Sequence, residues 1–172
     1  GVMSLVADGP DEVRRAVREE LRLGATQITI HVSGGVTSPS DPMWMPHFCE
    51  EEVRVAVAEA RTRRTYVMAH CHTDDRARAC VAFGVRSIEH GTEIEPDTAA
   101  LIAASDTFVV PTLSVVTALR DNSKNIGLSP VSIEKLKGAY ERTMLSMENC
   151  VRAGVRLGLG SDLLGDFQGL QG

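Results

Sequence analysis

One stretch constrains the fold more than any other: Tyr66 to Gly91, YVMAHCHTDDRARACVAFGVRSIEHG. Its patterning reads as strand, loop, helix, turn, strand. The first strand runs into His70 and His72, the second into Glu89 and His90. Strands joined through one helix lie parallel, so both ends fall on one edge of a sheet. Imidazoles at two such ends aim neutral nitrogens at a common point, and zinc favours two or three imidazoles with a carboxylate and an open position. Each histidine taken alone also reads as a satisfied loop residue.

The same rhythm runs through the chain. Gly9-Pro10-Asp11 opens a helix over 10–23, with Pro at the first turn and Gly24 as its stop. Strands are expected at 27–32, 65–70, 86–90, 107–111 and 155–159, and helices at 50–61, 74–83, 96–104 and 130–152. A polar loop is expected up to Gly127. Five strands alternating with helices specify parallel βαβ units. The carboxyl ends of such strands are the functional edge of α/β folds. His31, His70 and His90 fall there, Thr112 follows the fourth strand and Ser161-Asp162 the fifth. Period-2 parity puts Thr29 with His31, Met68 with His70, and Ile88 with His90. Gly158 and Gly160 share a face with Asp162, where they leave room for an ion or a substrate; Asp162 also reads as a loop or helix cap.

The chain of 172 residues reads as one domain. Its net charge of −5, with signs interleaved, and aromatic content of 4% argue against nucleic-acid binding. No apolar run approaches the roughly 20 residues of a membrane span, and no signal peptide precedes the first helix, so a cytoplasmic location is the default expectation. Cys49, Cys71, Cys80 and Cys150 have neither CxxC spacing nor disulfide-scaffold density. Cys71 lies between two histidines, but the strand pleat points it away from His70.

The pieces GATQITIHVSGGVTSPSDP (24–42), YVMAHCHT (66–73), FGVRSIEHG (83–91), VVPTL (109–113) and AGVRLGLGSDLLG (153–165) resemble, in order, the metal-dependent amidohydrolase superfamily, in its prolidase-like branch of Xaa-Pro dipeptidases. The resemblance implies a (β/α)₈ barrel, of which residues 1–172 supply about strands 4 to 8. It implies one or two divalent metal ions, zinc first, held by His70, His90 and Asp162, with Asp162 also the general base. It implies a hydrolase cleaving an amide or peptide bond of a small-molecule substrate, a dipeptide or N-acyl amino acid. His72 would touch substrate at the pocket wall. The Gly34-Gly35 backbone would line the pocket rather than cradle phosphate, since no P-loop Lys follows.

Two departures from the family pattern stand out. Its first-strand HxH pair would lie before Gly1, and both ends of the chain read as cut from something longer. Its fourth-strand Lys, which bridges two metals when carboxylated, falls at Thr29, and a hydroxyl cannot form that carbamate. A catalytically inert fragment or degenerate member is therefore one alternative. A self-contained five-stranded doubly wound sheet serving as a ligand-binding module is another, and strand order separates it from a barrel segment. An incomplete barrel would also leave strands 27–32 and 155–159 as apolar edges without a protecting Lys or Pro, so self-association is expected.

Overall fold

Two central strands, β2 (Val67–Cys71) and β3 (Ser87–His90), enclose α3 (Asp74–Phe83), which ends at Gly84 in the left-handed conformation. Around them the computed structural model, which describes residues 4–122, 127–163 and 169, sets β1 (Ile28–His31) and β4 (Phe108–Val110). All pairings are parallel and the order is β1-β2-β3-β4. No reversal occurs, which excludes the doubly wound sheet and leaves an open arc of a barrel. The remaining helices are α1 (Pro10–Arg22), α2 (Glu50–Thr62), α4 (Pro96–Ala103), α5 (Leu113–Asn122), α6 (Pro130–Leu136) and α7 (Ala139–Ala153).

Pleat alternation divides the sheet into two unlike faces. Ile28, Ile30, Val67, Ala69, Cys71, Ile88 and Val109 point outward and are buried under Val13, Val17, Val53, Ala77 and Ile102 of the helices. The apolar face of β1, expected as a liability, is thus covered. On the other face Thr29 and His31 are exposed, and Met68 and His70 only half-buried. The helical layer is continuous, with α1 against α2, α2 against α3, α3 against α4, and α4 against α7. The Glu52 carboxylate fastens its start, accepting from the Cys49 and Gly9 amides at 2.7 and 2.8 Å.

Three sequence expectations need correction. The fifth strand, 155–159, is reduced to a parallel bridge of Leu157 with Val109. The Val109 amide donates to the Arg156 carbonyl at 3.0 Å and the Gly158 amide to the Val109 carbonyl at 2.8 Å. The helix expected at 130–152 is two helices, broken where Gly138 takes φ 69°. The expected polar loop before Gly127 contains α5, whose Arg120 lies 4.2 Å over the Tyr140 ring of α7.

Candidate metal centre

In register across the inner face, His31 pairs with His70 and His70 with Glu89. The His31 ring stacks on His70 with centroids 4.6 Å apart. His90 does not belong to this row. It pairs with Cys71, which is fully buried in the outer core, and shares its parity with Ile88. Parity alone would bury its ring among the helices. Instead His90 adopts φ 71°, and the broken pleat swings the imidazole inward, so that Nε2 lies 2.9 Å from His70 Nδ1. Among the described residues four non-glycines have positive φ, and three of them, His90, Thr112 (φ 47°) and Asp162 (φ 51°), follow strand ends at this edge. Such backbone costs on the order of 1–3 kcal/mol per residue and gathers at functional sites.

The imidazoles are held by a set of short bonds. His72 Nδ1 and Thr92 Oγ1 are 2.8 Å apart, as are His90 Nδ1 and Thr112 Oγ1. His70 Nε2 lies 3.3 Å from the Gly34 carbonyl. A carbonyl only accepts, so His70 Nε2 carries the proton and Nδ1 presents its lone pair to His90. His90 Nε2 then donates to His70 Nδ1, and His90 Nδ1 accepts from the Thr112 hydroxyl; because that hydroxyl can also accept, it would equally support the other tautomer, which frees His90 Nε2. One nitrogen from each of His70, His72 and His90 falls within a set no wider than 4.8 Å. The 2.9 Å between His70 and His90 is less than two zinc–nitrogen bonds of about 2.0–2.1 Å, so one ion reaches both. Burial, then the neighbouring imidazoles, holds His70 down to about 3; burial, then His31, holds His90 down to about 4. Burial likewise holds His72 well below the ordinary histidine value. All three are neutral near pH 7, as ligation requires.

The remaining expected residues surround this group. Asp162 is exposed by surface area, yet partial burial of its carboxyl raises its pKa. Glu89 is raised as well, by burial first and by the charge of Asp162 in addition. Glu89 therefore senses the charge of Asp162, while Asp162 stands outside the three-imidazole group. Gly34 has no room for a side chain, since a Cβ there would meet the Pro42 carbonyl oxygen at 2.0 Å. A Cβ on Gly35 would lie 3.8 Å from His70 Nε2, so this loop backbone walls the site. Thr29 lies two residues before His31 on the same exposed face. Gly158 and Gly160 serve packing, since a Cβ on either would meet Val110 at 2.9 or 2.7 Å. Cys71 points into the core, as the pleat requires. Sequence reasoning missed Thr92, whose hydroxyl holds His72. Thr92 stands directly after the EHG turn, which is its one local signal.

Neutral burial of these imidazoles makes stability depend on pH. The unfolded chain binds protons near pH 6.5, whereas folded His70 and His90 resist them down to about 3 and about 4. Their contribution to the metal-free protein is complete above the unfolded value and is lost as pH falls through this window, by up to roughly 1.4 kcal/mol per pH unit for each histidine. Urea midpoints taken from neutral pH down to about 4.5 check this, and His70→Ala is expected to flatten the profile.

Known proteins resemble this chain in sequence and in fold. The amidohydrolase family profile matches residues 1–169. Ochratoxinase of Aspergillus niger is 34% identical over 158 residues, covering 91% of this chain and 32% of that protein. The chain therefore spans about a third of this curated relative. A prolidase crystallised with N-methylphosphonate-L-proline superposes with TM-score 0.94 at 43% identity, over 98% of this chain and 41% of that one. A Xaa-Pro dipeptidase with methionine bound in its active site does so with TM-score 0.84 at 30% identity, over 91% and 39%. With a matching family profile over nearly its whole length and an open arc of parallel strands carrying imidazoles at their ends, the chain belongs to the amidohydrolase family.

Proposed function

We propose that the protein is a metal-dependent hydrolase cleaving the amide bond of a dipeptide or N-acyl amino acid, carried by the convergence of His70, His72 and His90 at adjoining strand ends. The likeness to a prolidase and to a Xaa-Pro dipeptidase favours a dipeptide. His70 through Nδ1 and His90 through Nε2 would hold a divalent ion, zinc first by its preference for imidazole. Once bound, that ion polarises a carbonyl and lowers the pKa of water. His72 touches the substrate at the pocket wall; with the Thr92 hydroxyl, 2.8 Å from its Nδ1, as donor, its proton would sit on Nε2 and be available to the substrate carbonyl. Asp162 takes the proton of the attacking water, its raised pKa bringing it nearer the operating pH of a general base. Gly34 and Gly35 line the pocket with backbone. Among the described residues no helix is long and apolar enough to cross a membrane.

Thr29 favours a second reading, an inert member that binds metal without turnover, because no carbamate can form there to bridge a second ion. Zinc content and hydrolysis of a dipeptide panel, measured side by side, separate the two. His90→Ala is expected to weaken zinc binding at least tenfold. His72→Ala is expected to retain zinc and lose about 100-fold in turnover. Wild-type zinc binding by His90→Ala would sink the metal assignment, while stoichiometric zinc without turnover in the unaltered chain would establish the inert reading. We also propose self-association, since Thr29 and His31 face solvent on the inner face and Leu159 is 105% exposed. Sedimentation of the purified chain is expected to show dimers or larger species, and a concentration-independent monomer would contradict it.

A further inference from the structure

Helix α6 is short, and its capping serine begins a set of ties to a distant loop. Ser129 Oγ accepts from the Ser132 amide at 3.0 Å, and Ser132 Oγ donates to the Thr37 carbonyl at 2.8 Å. One turn on, Lys135 Nζ donates to the carbonyls of Gly35 at 2.9 Å, Ser38 at 2.7 Å and Asp41. An ammonium has three protons, and all three are committed. Among the described residues no carboxylate pairs with this lysine; the Asp41 carboxylate instead takes the Gly35 amide at 3.1 Å and His47 Nε2 at 2.6 Å. A saturated ammonium has no proton left for a substrate anion, which excludes an anion subsite. What Lys135 does is gather carbonyls of the loop from Gly34 to Asp41 onto one cation, 94 to 100 residues away in sequence. That loop begins with Gly34, whose carbonyl accepts from His70 Nε2, and Gly35, which abuts the same ring.

We infer that Lys135 is a positioning residue: it clamps the Gly35–Asp41 loop so that the Gly34 carbonyl keeps the His70 proton on Nε2 and leaves Nδ1 free for a metal ion. The inference rests on the proposed role of His70 as ligand only in its last step; the tautomer itself is a property of the metal-free protein. Long-range ¹H–¹⁵N spectra of the metal-free protein read that tautomer directly. The unaltered chain is expected to show His70 protonated on Nε2 alone. Lys135→Met is expected to show a mixture of tautomers, faster amide exchange over 35–41, and zinc binding weaker by about 10- to 100-fold, the range for losing a group that orients a ligand. Lys135→Gln, which keeps two donor protons, is expected to fall between them and serves should Lys135→Met fail to fold. An unchanged His70 tautomer in both variants would overturn the clamp, whatever their thermal stability. The zinc measurement separates the two claims: a tautomer shift without a change in zinc affinity would count against His70 as ligand and leave the clamp standing.

Discussion

Everything at the functional edge depends on a left-handed backbone at His90. The parallel register sets this residue beside Cys71, and extended geometry would carry its ring into the apolar layer with Ile88. At φ 71° the ring crosses to the inner face and meets His70. A histidine does not rest in that conformation without help, and the surrounding bonds supply it. The Gly91 amide donates to the carbonyls of Cys71 and Glu89, each at 3.0 Å, and a Cβ on Gly91 would meet Ile94 at 2.8 Å. Thr112, itself left-handed, holds Nδ1 of the turned ring. The strain is local, and the core that over-determines it lies directly beneath.

The sheet assigns stability and chemistry to opposite faces. Outward residues such as Ile88, Ala69 and Val109 are fully or almost fully buried and fix the strands against the helices. The inward face carries His31, His70 and Glu89 in one row, and of these His31 is exposed and His70 and Glu89 half-buried. The burial that the imidazoles do acquire comes from each other, from the turn after β3 and from the loop 33–42. This is why their proton affinity is low although one side of the sheet is open.

Much of this was legible in the sequence, and the exceptions have physical reasons. The limits of α3 coincide with expectation because Asp74-Asp75 and Gly84 mark both of its ends. The pairing of His70 with His90 followed from two strands ending in imidazoles, yet parity grouped His90 with Ile88, which proves to face the core, and the break in the pleat was not read from the sequence. Residues 155–159 have strand composition, but the bare backbone of Gly158 and Gly160 lies close against Val110, where a Cβ would clash, and the ladder stops after one bridge. A single Gly138 splits a helix that periodicity reads as continuous. Lys135 carries no local signal, because its partners are brought to it by the fold.

The central claim, that strand ends and a broken pleat assemble imidazoles around one ion, is tested most directly by X-ray absorption at the zinc edge of the zinc-loaded protein. The account predicts a shell of nitrogen or oxygen near 2.0–2.1 Å with the outer-shell scattering of at least two imidazoles. A sulfur shell near 2.3 Å, or a shell of oxygen alone, would contradict it.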